Sequence, residues 1–567
     1  MQLTGGEAVI RSFQAAGGRF AFGIASGKLT PVMAALSRAN APRFIGVRHE
    51  GSASLMAAGS MAGTGQIALA LGELGPGGGN LVSGVASAFS NNLPLLALTS
   101  GNVLAASRPT RGQLMDIDLE SLFRPITRFS ETAIDGRRIP ELIRTAVRAA
   151  HGPRPGPVHL NMPADILAGL HPYAPEAFDP VYWQQPSPAA PDPRAIAQAV
   201  ALLVRAERPL IIGGGGAIMA GVTDGLVRLA DRLDAAVTAT QMGIGLVPSA
   251  HPRFIGQGGT IGGPAVIEAL EQADVVLALG CRFSSWFWRG GRAIMAPEAQ
   301  LVQVDTDPNT IGRIRAAEIG IQADAALTID ALLDALPPRS SGAPGAWPSG
   351  LRRRWEAHRE SIALTANLPT TPAHPGLLTA RTAALLPDDA LVVYDGGHTT
   401  FWNNDLPVRA PRERFHEPGL GQLGFGLAYA LALKAAYPDR LVLNTTGDGS
   451  FGFTVQELDT ARRENLPVIS LIHNNEAWGV IREGQAVQGF DFATSLSGTD
   501  YAAIARGFGC FGARVEHPDD LPAAFAAAVA SGLPAVLDCR VAFVAHPTMS
   551  SFVASGKPAA PTAPLPW

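Results

Sequence analysis

The chain has 567 residues, of which 47% are hydrophobic and 16% charged, with a formal net charge of −4. Charges this sparse and this balanced exclude a disordered chain, a charged coiled coil and a nucleic-acid-binding tail. At roughly 150 residues per domain, the length predicts three or four α/β-sized units with well-buried cores.

Short apolar runs alternate with helical stretches along the whole chain. In the first block the spacing predicts a strand at Arg43–Val47, a small-residue helix at Gly51–Ala62, and strands at Ile67–Leu71 and Leu93–Thr99. A proline-rich stretch, His171–Pro193, reads as an exposed connection. The second block carries a helix at Ala195–Arg205 and strands at Leu210–Ile212, Val275–Leu279 and Leu301–Val304. A second proline-rich stretch, Pro337–Pro375, again reads as a connection. The third block has strands at Leu391–Tyr394, Leu441–Thr445 and Val468–His473 and a helix at Leu521–Ala530. This alternation predicts an α/β protein of three doubly wound parallel-sheet domains, spanning 1–170, 190–337 and 372–546. The Pro/Ala-rich tail after Ala545 is expected to be loosely held or to act as a closing lid.

No apolar run approaches a bilayer span, and Met1–Glu7 lacks a basic-then-apolar signal pattern. Cys281, Cys510 and Cys539 form neither a disulfide framework nor a metal spacing. The expectation is a cytoplasmic protein with no nucleic-acid or membrane partner.

Gly447-Asp448-Gly449-Ser450 follows the strand at Leu441–Thr445, and Asn475 follows Asp448 by 27 residues at the end of another strand. In parallel sheets ligands bind beyond the carboxyl ends of the strands. A carboxylate and an amide oxygen brought together there suit Mg²⁺, and the flanking glycines allow a diphosphate to approach the backbone. Taken alone, Gly-Asp-Gly reads more readily as an ordinary turn. Glu50, in Arg48-His49-Glu50, sits at a strand-to-helix turn and by itself reads as an acid at a helix N-terminus.

Together these motifs resemble the thiamine diphosphate (ThDP) enzymes, and specifically their acetolactate synthase-like branch. Leu74–Gly84, Val302–Asp307 and Gly419-Leu420-Gly421-Gln422-Leu423-Gly424-Phe425-Gly426 extend the resemblance over nearly the whole chain. It implies a pyrimidine-binding, a central and a diphosphate-binding domain in that order. It also implies a ThDP- and Mg²⁺-dependent lyase or carboligase acting on 2-oxo acids, aldehydes or 2-hydroxy ketones. By resemblance Glu50 exchanges a proton with N1′ of the aminopyrimidine, a role suited to a buried carboxyl with a raised pKa. Leu423 props the bent cofactor, and the Gly421 carbonyl accepts from N4′. Asp448, Asn475 and the Ala477 carbonyl hold the metal. Gly449, Ser450, Gly397, His398 and Thr399 contact the diphosphate. Gln113 falls near the reacting carbonyl. Ser26, Lys28, Trp402 and Trp478 are candidate pocket walls, with core packing the alternative for both tryptophans. The site is shared between chains, so a homodimer or homotetramer is expected.

Departures from acetolactate synthase occur at Ala164, Gly484 and Arg282-Phe283-Ser284-Ser285. Asn475–Gly479 and Arg124–Arg128 look more like benzaldehyde lyase. Few acid groups are evident near the pocket, which favours transfer to a second carbonyl over protonation. Two rivals stand beside this reading: a 2-hydroxyacyl-CoA lyase or oxalyl-CoA decarboxylase, and a non-catalytic cofactor-binding subunit. Ile211–Gly216 is a weak dinucleotide signal, and the resemblance leaves FAD, ADP or nothing open for the central domain.

Overall fold

In the computed structural model, residues 1–549 are described apart from 108–111, 260–261, 285–286, 288–294, 340–341, 368–369, 371 and 405. Arg111, Ser285, Ser340–Ser341 and the tail from Ser550 therefore lie outside the described residues.

Three six-stranded parallel sheets form in succession. The strands are short apolar runs buried on both faces, as helix-covered parallel sheets require: Val275–Leu279 and Leu391–Tyr394 are buried throughout. Both match the predicted bounds, and the other predicted strands differ by one to three residues at their ends.

The first sheet runs, in spatial order, Arg43–Gly46, Phe20–Gly23, Leu69–Gly72, Leu96–Gly101, Val158–Pro163 and Ser130–Thr132. The third runs Arg414–Phe415, Leu391–Tyr394, Val442–Gly447, Ile469–Asn474, Ala535–Arg540 and Phe511–Val515. Numbered by chain order within each unit, both read 2-1-3-4-6-5. The middle sheet differs: Phe254–Gln257, Ala236–Ala239, Pro209–Gly213, Val275–Leu279, Gln300–Asp305 and Ile319–Gln322 give 3-2-1-4-5-6, the dinucleotide-fold order.

The first and third units share one hydrophobic core. Helix Glu50–Thr64 lies against helix Phe425–Ala436, and its small residues make that approach possible. A Cβ on Gly59 would meet the Tyr429 Cα at 2.8 Å, so the backbones touch where a side chain would hold them apart. This contact ties the helix that begins with Glu50 to the unit that carries Asp448.

The proline-rich connections are more ordered than their composition implies. Leu170–Pro172 pairs antiparallel with Gln2–Thr4, and Tyr173 and Trp183 are buried in the first unit's core. The stretch Pro337–Pro375 contains a 21-residue helix, Ala346–Ala366. Its buried Leu351, Trp355, Ile362 and Ala366 recur at helical spacing. Pro348 falls in the first turn, where the missing N–H costs nothing. Composition obscured a periodicity that packing uses.

A buried cation organises the middle unit. Arg253, 2% exposed, pairs with Asp231 at 2.8 Å and with Asp234, and donates to the Gly342 carbonyl. Arg253→Met removes a shared partner, while Asp234 keeps Arg339 at 3.0 Å and Asp231 is 39% exposed, so a loss of about 1 kcal/mol is expected. A lower-temperature transition in calorimetry is the expected result. An unchanged thermogram would show that solvent already compensates the acids.

Candidate active site

The third unit holds a cavity of about 300 Å³ at its switch point, beyond the carboxyl ends of Leu391–Tyr394 and Val442–Gly447. Two glycine-bearing turns form its floor. Gly396 (φ +94°) leads from the first strand into helix Gly397–Asn403, bringing Gly397, His398 and Thr399 to the wall. Gly447 leads from the second into Asp448, Gly449 and Ser450. Gly449 admits no side chain: a Cβ there would lie 2.5 Å from the Trp478 ring.

A third turn completes the wall. Gly421 and Gly424 take left-handed φ values of +72° and +82°. Buried Asp395 anchors this turn by accepting from the amides of Gly424 (3.3 Å) and Gly426 (3.0 Å). Burial outweighs those donors and pushes its carboxyl up to about 6. Leu423, partly exposed, stands at the cavity rather than in the core.

Asp448 is 3% exposed, and its Oδ2 has no hydrogen-bond partner among the described residues. Burial raises its pKa to about 6, against the pull of the Gly449, Glu476 and Ala477 amides. Asn475 and Ala477 reach the same cavity. The Asn475 Oδ1 accepts from the Ala477 amide at 3.2 Å, while its Nδ2 lies 3.4 Å from His398 Nδ1. His398 is buried and stacked on Phe543, with ring centroids 5.5 Å apart, so it is no surface histidine. Burial, with His546 nearby, pulls its pKa down to about 4. His473, also on the wall, is brought to about 3 by burial, and neither of its ring nitrogens has a partner among the described residues. Both imidazoles are therefore neutral at pH 7.

The structure separates the two tryptophans. Trp478 lines the cavity and packs edge-on against Phe453 at 6.2 Å. Trp402 is 1% exposed, donates to the Val544 carbonyl and sits between His374 and His546, in the core. Sequence reasoning missed His473, which its neighbour Asn475 could have flagged, and Glu417, which lies outside every motif.

Among the described residues, none from the first unit lines this cavity. Glu50 opens helix Glu50–Thr64, half-buried, and accepts from the Asn80 side-chain amide at 2.9 Å. The glycines before Asn80 bring the two helices together: a Cβ on Gly77 would lie 3.2 Å from Glu50 Oε1. The Ser26–Lys28 turn follows strand Phe20–Gly23, with the Lys28 amide donating to Glu73 at 2.9 Å. Gln113 is exposed on a loop and does not reach the Asp448 cavity within one chain.

A second cavity, of about 200 Å³, lies at the switch point of the middle sheet. Its wall includes Gly214–Gly216 after strand Pro209–Gly213, Cys281–Ser284 after Val275–Leu279, and Arg412 from the third unit.

Two like-ordered parallel sheets sharing a core, with a glycine-cradled buried carboxylate at a switch point, define an enzyme of the thiamine diphosphate class. Three family models match in order: the thiamine pyrophosphate enzyme N-terminal TPP binding domain over residues 3–122, the central domain over 196–332, and the C-terminal TPP binding domain over 395–539. Over 553 residues the chain is 31% identical to a probable acetolactate synthase large subunit of Methanocaldococcus jannaschii, covering 94% of this chain and 91% of that protein. It is 30% identical to the acetolactate synthase isozyme 1 large subunit of Escherichia coli, covering 95% and 94%. It is 32% identical to a probable 2-ketoarginine decarboxylase of Pseudomonas aeruginosa, covering 92% and 90%. The chain belongs to the thiamine pyrophosphate enzyme family, in its acetolactate synthase-like branch. It is a ThDP-dependent enzyme of the carboligase and decarboxylase class.

Proposed function

We propose that this enzyme cleaves or forms the C–C bond beside the carbonyl of a 2-oxo acid or 2-hydroxy ketone, using ThDP and Mg²⁺. The observation that carries this reading is the third-unit cavity, where ten residues assigned by motif converge on one buried, unpartnered carboxylate oxygen. Among the described residues no three His, Cys, Asp or Glu side chains gather as a metal site. One carboxylate with amide and carbonyl oxygens is instead the donor set of Mg²⁺, which completes its octahedron with phosphate and water. In this reading Asp448, Asn475 and the Ala477 carbonyl hold the metal. The Gly449 amide, Ser450, Gly397, His398 and Thr399 hold the diphosphate.

When bound, ThDP supplies a nucleophilic carbon and an electron sink for the carbanion left by C–C cleavage. Glu50 would exchange a proton with the aminopyrimidine, the Gly421 carbonyl would accept from its amino group, and Leu423 would support the bound cofactor from the cavity wall. Gln113 lies near the reacting carbonyl. Neutral His398 and His473 leave the cavity without added positive charge at pH 7.

We assign the working form as a homodimer or homotetramer, in which the Glu50 of one chain meets the cavity of another. Two observations support this. Glu50 does not reach the cavity of its own chain, and Leu420, Phe453 and Ile481 beside that cavity are about half exposed. Large apolar side chains grouped around a site call for a cover. Light scattering is expected to show at least a dimer, and a fully active monomer would refute the shared site. Three buried free thiols suit a reducing cytoplasm. No described helix is long and apolar enough to cross a membrane.

The test is to mix the ThDP- and Mg²⁺-loaded enzyme with pyruvate and follow CO₂ release together with acid-quench proton NMR. Donor carbon bound to the cofactor is expected. Its absence, with cofactor bound, would remove pyruvate as donor and direct screening to hydroxy ketones and CoA thioesters.

A further inference from the structure

Strand Arg43–Gly46 lies at one edge of the first sheet, and the chain runs from it through Val47-Arg48-His49 into helix Glu50–Thr64. An edge strand leaves backbone groups without a neighbouring strand. Here helix Glu457–Arg463 of the third unit packs on that edge and bonds to it. Glu457 is fully buried, and the Arg48 amide donates to both of its carboxyl oxygens at 3.2 Å. The Thr460 hydroxyl, one turn along the same helix, donates to Oε2 at 2.6 Å and fixes the carboxyl. The Arg463 guanidinium donates to the Gly46 carbonyl. The Arg48 side chain reaches back to Asp459 at 3.6 Å. The backbone from Gly46 to Arg48 is thus gripped at both ends, two residues before Glu50.

This grip supplies a cap that the helix lacks. In a capping box the third residue of the helix is Glu or Gln, and its side chain accepts from the amide of the capping residue. Thr4 and Glu7 make such a box on the chain's first helix. In helix Glu50–Thr64 the third residue is Ser52, and the cap is the His49 ring, whose Nδ1 accepts from the Gly51 amide at 3.1 Å. Glu457 brings the carboxyl from another unit, and the His49 amide pulls on it as well as that of Arg48. Burying a carboxyl costs stability unless its oxygens are bonded. Cohesion does not require one here, because the first and third units already share a hydrophobic core. What a carboxyl adds is direction: it fixes backbone amides at the start of the helix that carries Glu50.

We propose that Glu457 is a positioning residue for Glu50: by holding the Arg48 amide it sets where the Glu50 carboxyl projects from its turn. This rests on the ThDP reading above, in which Glu50 serves the cofactor. Glu457 is not among the residues that line the third-unit cavity, so it acts through Glu50 alone. Asn80 orients the end of the Glu50 side chain, and Glu457 its backbone root. Helix Glu457–Arg463 follows helix Asp448–Gly452, which carries the cavity carboxylate. The unit that forms one cavity therefore also orients the Glu50 that serves another. Nothing local marks Glu457, because 409 residues separate it from Arg48.

The test is Glu457→Gln in the full chain loaded with ThDP and Mg²⁺, read by hydrogen–deuterium exchange at the cofactor C2. Glutamine keeps the size and one acceptor but puts N–H donors where the second acceptor stood. A misplacement of about 1 Å can cost about 100-fold, so exchange is expected to slow by about 10- to 100-fold, with ThDP affinity within a few-fold of wild type. A merely structural tie would lower the melting temperature and leave exchange at the bound cofactor unchanged. Added to Glu50→Gln, the substitution is expected to slow exchange by less than about twofold more, because no carboxyl remains to be positioned. Its effect on melting temperature is expected to be the same in both backgrounds. In the unloaded protein, amide hydrogen exchange across residues 46–51 is expected to be faster in Glu457→Gln than in wild type. Should Glu457→Gln fail to fold, Glu457→Asp, which keeps the charge and draws the carboxyl back by one methylene, is read in the same way. Cofactor exchange within about twofold of wild type in the folded variant, multiplying losses in the double variant, or unchanged amide exchange overturns the proposal. If Glu50→Gln itself leaves cofactor exchange unchanged, the reading of Glu50 fails first, and the role of Glu457 falls with it.

Discussion

Glu50→Gln is expected to lower kcat by about 10²- to 10⁴-fold, the usual contribution of a positioned acid–base group, with little change in folding. The side chain makes one observed hydrogen bond, accepting from Asn80 at 2.9 Å. Glutamine can accept it equally well, and its similar size suits the narrow space beside Gly77. What glutamine cannot do is take up and return a proton. Thiamine diphosphate affinity should therefore stay within a few-fold of wild type while hydrogen–deuterium exchange at the cofactor C2 slows by the same factor as turnover. The two measurements separate activation from binding. Unchanged exchange in a folded, cofactor-loaded variant would remove Glu50 from the mechanism proposed above.

Asp448→Asn should move stability and binding in opposite directions. In the unloaded protein the buried carboxyl has a pKa of about 6, against 3.8 for the ordinary group. Between those values the folded state holds a proton that the unfolded state has lost. Stability consequently falls as pH rises through that window, and the full penalty is present above about pH 6. At 1.36 kcal/mol per pH unit the shift amounts to about 3 kcal/mol. Asparagine does not titrate, so the unloaded variant is expected to melt higher than wild type at pH 7.5 and no lower at pH 4. The same change removes the charge proposed to hold Mg²⁺. Isothermal titration with ThDP and Mg²⁺ is expected to show affinity reduced by at least about 100-fold, equivalent to about 2.7 kcal/mol. Tighter folding with weaker binding is the signature of a site that sacrifices stability for function. A variant that binds the cofactor normally would place the metal elsewhere.

The middle and third units meet at the middle cavity. Arg412, from the third unit, donates to the Ile218 and Met219 carbonyls of the middle unit at 2.8 and 2.9 Å. Pro418 and His416 line both this cavity and the third-unit cavity. The segment carrying Glu417 thus forms the partition between the two.

Much of the architecture was legible along the chain because its signals are local. A buried parallel strand needs a continuous apolar run whatever lies next to it, so Val275–Leu279 and Leu391–Tyr394 could be read to the residue. Gly447-Asp448-Gly449 and Asn475 stood out along the chain because they follow two predicted strands, at the ends where parallel sheets bind ligands. Helix Ala346–Ala366 was harder, since nearby prolines masked a spacing that becomes visible only against the surfaces it covers. Trp402 and Trp478 are chemically alike, and only their neighbours make one a core residue and the other a cavity wall. Composition and periodicity were thus enough for the α/β class, and the resemblance of the motifs to a known family supplied the family and the order of its units. Strand order, the shared core of the first and third units and the burial of the Asp448 carboxyl required the folded chain, because each depends on contacts between residues far apart in sequence.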